Sequence, residues 1–227
     1  MRKELFMAKL SEIVYKRDSR MREELEKLGI KSFIKREIKD LKYIIIEKND
    51  ELYMAIRGSA NKKNWMRNFN FFPKKGVHRG FKKASDVILK DIKLLKLEDK
   101  LINVTGHSLA GAISMLVGLE LKANSIYTFG QPRVFTRKKK INLDGILYKR
   151  YINNLDVVTQ VPPVWLGYKH HTIPYYITHN GVIYIDPSDK VITVDRLETL
   201  AKNKNIKETY KDHEISYYIK LIEDGIK

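Results

Sequence analysis

The residues Thr105 to Ala112, TGHSLAGA, place a serine among small neighbours, between the apolar run LINV and the apolar run AISMLVGL. A serine hydroxyl becomes a nucleophile when a sharp strand-to-helix turn exposes it and a nearby base takes its proton. GHSLA departs from the G-x-S-x-G pattern of such turns only at Ala110. Two readings stand side by side: a nucleophile elbow, or an incidental serine on a core helix of small residues. The base has six candidate histidines. His107 adjoins the serine and should point elsewhere; His78, His170, His171 and His179 lie in loop or strand-like segments; His213 opens DHEISYYIKLI, whose apolar spacing reads as a helix. Among the acids, Asp156 follows YINN and precedes VVTQVPP, at the end of a strand, where open α/β sheets place their sites. The order Ser, Asp, His suits a sheet hydrolase, but taken by itself Asp156 reads first as a turn-forming residue after Asn153-Asn154.

The elements that must hold these groups follow from periodicity. ELFMAKLSEIVY reads as a helix, and a second short helix follows with Asp18 or Ser19 as its cap and Gly29 past its end. LKYIIIEK and ELYMAIRG flank Asn49-Asp50 and predict a hairpin. RGFKKASDVILKDIKLLKLED is helical in spacing, LINVT is a short buried strand, and LAGAISMLVGLELK is an apolar helix. SIYTFG, ILYKRYIN, YYITH and VIYID are strands, and VDRLETLAK begins a final helical stretch. Strands alternating with helices predict an α/β fold with a mostly parallel central sheet flanked by helices.

The 227 residues fit one domain, residues 1–227, with 43% hydrophobic residues to fill its core. The chain has no cysteine, no apolar run of bilayer-spanning length and no apolar stretch near its start, so a cytoplasmic location, with peripheral membrane contact, is expected. The formal charge of +17 bears on partners rather than fold. No helix-turn-helix, zinc or RNA-binding pattern accompanies it, so nucleic acid is not expected as a partner. No pattern specifies an oligomeric state.

Six segments together resemble the class 3 lipases, the group that includes the secreted fungal triacylglycerol lipases and the feruloyl esterases. They are AIRGSANKKNWMRNFNFFP, VHRGF, TGHSLAGA, YTFGQPRV, NNLDVVTQVPP and DHEISYY, in family order between roughly residues 43 and 220. The resemblance implies an α/β-hydrolase fold with a short lid helix, and Ser108, Asp156 and His213 as nucleophile, orienting acid and general base. It further implies that Ser59 and Leu109 supply the oxyanion hole. It makes Ala60 to Pro73 the lid, with Trp65, Met66 and Phe69 on its apolar face, and residues 1–40 N-terminal helices outside the strong likeness. His170 or His171 matches a second family histidine and is read as structural, while Arg57 and Arg133 are read as holding loops.

The implied reaction is hydrolysis of a lipid ester, acylglycerol or phospholipid, through an acyl-enzyme, with no cofactor and no metal. The alternatives are a carboxylesterase on small soluble esters and a non-catalytic lipid-binding relative. Between Leu52 and Ser85 there is no Asp or Glu but many Lys and Arg, and a second basic run spans Arg137 to Lys140. Both runs are expected near the mouth of the site, which would favour an anionic membrane surface.

Overall fold

The computed structural model describes residues 1–58, 73–95, 97, 100–202 and 211–225. Ser59 and the segment assigned to the lid, including Trp65, Met66 and Phe69, lie outside these described residues. The chain begins with two helices, α1 (Lys3–Ile13) and α2 (Asp18–Lys27), then strands β1 (Phe33–Ile38), β2 (Leu41–Lys48) and β3 (Glu51–Arg57). Two-residue strands β4 (Pro73–Lys74) and β5 (Val77–His78) lead into α3 (Arg79–Leu94). The centre consists of β6 (Ile102–His107), α4 (Leu109–Glu120) and β7 (Ser125–Phe129), followed by β8 (Phe135–Thr136) and β9 (Leu147–Asn153). After two short 3₁₀ turns come β10 (Tyr168–Lys169), β11 (Pro174–Ile177), β12 (Ile183–Ile185), α5 (Asp189–Lys202) and α6 (Ile215–Asp224).

Eight strands form one sheet in the order β1-β2-β3-β6-β7-β9-β11-β12. The pairs from β3 to β11 are parallel, and antiparallel strands close both edges. The hairpin between β2 and β3 turns on Asn49 and Asp50 with φ of 51° and 62°, the left-handed pair that a tight two-residue hairpin needs. Strand β1 has no counterpart in the expectations: FIKREI mixes apolar and charged residues, as an edge strand with a half-exposed face does. The expected side-chain cap of α2 is absent, because Asp18 reaches instead to Lys35 Nζ at 2.5 Å and Arg17 takes the cap position.

Alternation along the central strands sends side chains into two cores. On one face Val104 and Ile126 pack with Phe81 and Ile88 of α3 and Ile113 and Val117 of α4. On the other, Tyr127 and Phe129 pack with Met7 and Leu10 of α1 and Tyr218 and Ile222 of α6. Helix α1 is therefore built into the sheet's second face: Ser11 Oγ lies 2.8 Å from Thr105 Oγ1, and Tyr15 OH reaches the His107 carbonyl at 3.5 Å. Each of these contacts falls within three residues of Ser108, so the N-terminal segment braces the turn that carries it.

Helix α3 starts at a histidine cap. His78 Nδ1 accepts from Phe81 N–H at 3.3 Å, its ring lies against the Phe81 ring, and burial holds its pKa down at about 4. Unfolded, the imidazole would titrate near 6.5, so between pH 6.5 and 4 the unfolded chain binds a proton that the native protein refuses. Stability must then fall as pH drops through that window, by about 2 kcal/mol at pH 5 from this group alone. His78→Asn keeps a capping acceptor but removes the titration. Urea unfolding at pH 7 and pH 5 should show a shallower pH dependence in that variant; parallel slopes would assign the acid sensitivity to other groups.

Candidate active site

Ser108 sits between the end of β6 and the first residue of α4, with φ 61° and ψ −131°, a conformation natural to glycine and strained for serine. Its N–H donates to the Phe129 carbonyl at 2.9 Å, and its own carbonyl accepts from Gly111 N–H at 2.9 Å, so the turn is held at both ends. The strand and the helix meet closely there. A Cβ on Gly106 would lie 2.6 Å from the Ala110 carbonyl oxygen and 2.5 Å from Ser114 Oγ. Glycine is therefore required at 106. At 110 it is not: Ala110 has ordinary helical backbone, and its methyl group is fully buried in the core beneath α3 and α4. The departure from the G-x-S-x-G spelling is absorbed as core packing.

The side chains drawn to Ser108 come from two distant loops. Ser108 Oγ lies 2.7 Å from His213 Nε2, and His213 Nδ1 lies 2.9 Å from each carboxylate oxygen of Asp156. With Nδ1 donating to the carboxylate, Nε2 is left to accept the serine proton. Asp156 is completely buried and tightly held. Oδ1 accepts from Val158 N–H at 2.9 Å, Oδ2 accepts from Tyr218 OH at 2.7 Å, and the Asp156 carbonyl accepts from Thr159 Oγ1 at 2.8 Å. A buried carboxylate needs this many donors to remain charged without water.

Residues that sequence reasoning did not single out surround this line of three. His107, expected to point away, donates from Nε2 to the His213 carbonyl at 2.6 Å and lies beside the His213 ring, with 4.7 Å between centroids. Tyr218 OH accepts from Asn153 N–H at 2.9 Å while donating to Asp156, tying α6 to the end of β9. Asn153 Nδ2 in turn donates to the Asp212 carbonyl at 3.1 Å, and Leu155 N–H to the Asp212 carboxylate at 3.2 Å. Position was the only sequence signal for His107 and Asp212, which adjoin Ser108 and His213; Tyr218 carried no such signal.

The remaining assignments are placed as follows. Leu109 opens α4, and its side chain packs against Gly58, where an added Cβ would come within 3.1 Å of Leu109 atoms. The end of β3 and the start of α4 are thus adjacent. Donors at these two points could receive a developing oxyanion beside Ser108, and the helix N-terminus adds favourable dipole there. His170 and His171 donate to the backbone carbonyls of Thr159 and Thr136 at 2.8 and 3.0 Å, and Arg133 holds the Gln160 and Pro162 carbonyls. Among the described residues no cluster of His, Asp and Glu has metal-binding geometry.

The sequence model of the class 3 lipase family, Lipase (class 3), matches residues 53–165, which include the Ser108 turn and the Asp156 loop. The chain belongs to the class 3 lipase family. It is 34% identical over 168 residues to secreted mono- and diacylglycerol lipase 1 of Fusarium solani, covering 65% of this chain and 48% of that one. It is 30% identical over 154 residues to a lipase of Rhizomucor miehei, covering 57% and 42%. The chain thus spans somewhat less than half the length of these curated relatives. The crystal structure of a lipase from Rhizopus microsporus var. chinensis superposes with a TM-score of 0.62 at 27% identity, covering 77% of this chain and 74% of that one. The class 3 lipases share the α/β-hydrolase architecture seen here, a mostly parallel sheet with helices on both faces.

The cytoplasmic location expected from the sequence is corrected by the Fusarium relative, a secreted enzyme. The expectation leaned on the missing cysteines, and the structure removes that support. A chain of this size with a packed core on each face of its sheet has no need of disulfides for stability, so their absence does not mark a compartment.

Proposed function

We propose that this chain is a serine carboxylic-ester hydrolase acting on lipid esters. The observation that carries the proposal is the hydrogen-bonded line Ser108–His213–Asp156 on a strained strand-to-helix turn. In the proposed mechanism His213 takes the Ser108 proton as the oxygen attacks the ester carbonyl. Asp156 holds the imidazole in the required tautomer and stabilises the imidazolium that forms. The Leu109 N–H, with the Ser59 segment, receives the negative charge of the tetrahedral intermediate, and each such donor is worth about 3 kcal/mol. His213 then protonates the leaving alcohol, and water activated by the same imidazole releases the acid. The names of the relatives, lipases and mono- and diacylglycerol lipases, support a glycerol ester as substrate.

Two measurements test the proposal. A medium-chain p-nitrophenyl ester should be hydrolysed faster than the acetate, and a serine-directed fluorophosphonate should add to the peptide containing Ser108 in step with loss of activity. Preference for the acetate would move the chain to the soluble carboxylesterases. No turnover and no adduct, with lipid vesicles present, would make it a non-catalytic relative.

The two basic runs converge, which supports docking on an anionic lipid surface. Lys74, Lys75, Lys82 and Lys83 of the first run and Lys139 of the second line one hollow of about 640 Å³ over Val77 and Val87. Among the described residues Asp86 is its only acid, and it is paired with Lys82. Each Lys near an anionic bilayer contributes about 1 kcal/mol, so Lys83→Ala with Lys139→Ala should weaken sedimentation with anionic vesicles about thirtyfold at low salt. Equal binding of the parent to neutral and anionic vesicles would remove the docking surface.

A further inference from the structure

A second cationic site lies at the far side of the Asp156 loop. Arg150, in the middle of β9, is only 3% exposed, yet it forms no ion pair with any described residue. Its Nε donates to Thr172 Oγ1 at 3.1 Å and its Nη2 to the Thr172 carbonyl at 3.0 Å, which leaves guanidinium hydrogens over. A buried guanidinium facing only neutral acceptors keeps much of its desolvation cost, and that burial together with nearby Arg133 draws its pKa down to about 10.

Arg150 lines a cavity of about 510 Å³, and two more arginines, Arg133 and Arg196, line it as well. Arg133 uses one terminal nitrogen on the Gln160 and Pro162 carbonyls, and Arg196 uses Nε on the Asn154 carbonyl at 2.8 Å. His170 and Lys169 also face the cavity; desolvation, with Arg150 and Arg133 nearby, holds the His170 pKa well below the usual imidazole range. Asp186 and Asp189 line it too, but neither forms an ion pair with a described residue, so the acids do not neutralise the arginines. Three planar donor forks around one cavity match the three or more acceptor oxygens of a phosphate group.

We infer that this cavity binds a phosphate group, with Arg150, Arg133 and Arg196 as its ligands. The phosphate supplies the charge that the buried Arg150 lacks, and the cavity has room for a small polar body attached to it. Its wall includes Thr159, whose hydroxyl donates to the Asp156 carbonyl and whose own carbonyl accepts from His170. Occupancy therefore steadies the loop that carries Asp156. The site is separate from the basic hollow over Val77, whose cations are lysines and Arg79 on the surface and include no buried arginine.

Thermal unfolding in the absence of ester reads this binding independently of catalysis. Inorganic phosphate, compared with chloride at matched ionic strength, should raise Tm by about 4 °C at tenfold its Kd. Arg150→Met should unfold at the same temperature as the parent or higher without phosphate, because an unpaired buried charge has gone, and should lose the phosphate-dependent rise. Arg196→Gln, at the more exposed wall, preserves the fold and should weaken phosphate binding at least tenfold. Glycerophosphocholine in place of inorganic phosphate separates the sources. Equal shifts point to a phospholipid headgroup, and a shift with inorganic phosphate alone points to free phosphate or a monoester; either pattern supports the site. No shift in the parent overturns it. A shift that survives both arginine variants but disappears in Lys83→Ala with Lys139→Ala also overturns it, by moving the anion to the basic hollow.

Discussion

Ser108→Gly should be more stable than the parent by about 1 kcal/mol while its ester hydrolysis falls on the order of 10⁴-fold. The two effects have one cause. Ser108 is held at φ 61° and ψ −131°, where a Cβ is strained and glycine is at ease. The strain persists because β6 and α4 are fixed on either side, by the Ser108 N–H to the Phe129 carbonyl and by Gly111 N–H to the Ser108 carbonyl. It lifts the hydroxyl to within 2.7 Å of His213 Nε2. Removing the side chain relieves the strain and removes the proposed nucleophile together. Ser108→Ala separates the two: it keeps the Cβ and the strain, so activity should fall as far with stability close to the parent. Urea unfolding beside p-nitrophenyl ester turnover reads both. A glycine variant less stable than the alanine variant would contradict the strain argument, and turnover surviving in both would contradict the role of Ser108.

The second large effect belongs to Gly130, which bears no functional group. It has φ +60°, and a Cβ there would lie 2.7 Å from Asp156 Oδ2 and 2.9 Å from His213 Nδ1. Those atoms are the two partners of the hydrogen bond that orients the imidazole. Gly130→Ala must therefore push the carboxylate and the ring apart or move the β7 loop, and a misplacement of about 1 Å in such a line lowers turnover about a hundredfold. The positive φ adds about 1 kcal/mol or more of backbone strain. Turnover should fall mostly in kcat, with fluorophosphonate labelling of Ser108 slowed in parallel. Full activity in Gly130→Ala would mean that the loop yields without disturbing the Asp156–His213 bond.

The outcome at Ala110 shows how local pattern and tertiary packing divide the explanation. Spelling alone left the serine turn open, since one glycine of the pattern was missing. In the structure the two flanking positions do different work: Gly106 lies where strand and helix nearly touch, while position 110 faces the core, where a methyl group is welcome. Similarly, DHEISYY displayed His213 as the opening of a helix, but Tyr218, five residues on, carries the donor to Asp156 from that same helix. Nothing in the sequence ties residue 218 to residue 156, because a contact of that span depends on how α6 lies against β9.

By itself the sequence determined the alternation of strands and helices, the Asn49-Asp50 hairpin, the small-residue turn around Ser108 and the candidate acid and base. These are properties of short segments, set by side-chain period, by turn chemistry and by the steric room that glycine gives. Tertiary structure alone decided that His107 supports His213 from behind and that Gly130 must lack a side chain. It also brought three arginines separated by up to 63 residues to one cavity, Arg133 to Arg196. The physical reason is common to all of these: hydrogen bonds and steric limits at the site join loops from different strand ends, and the sheet order β6-β7-β9-β11 makes those loops neighbours although the chain keeps them far apart.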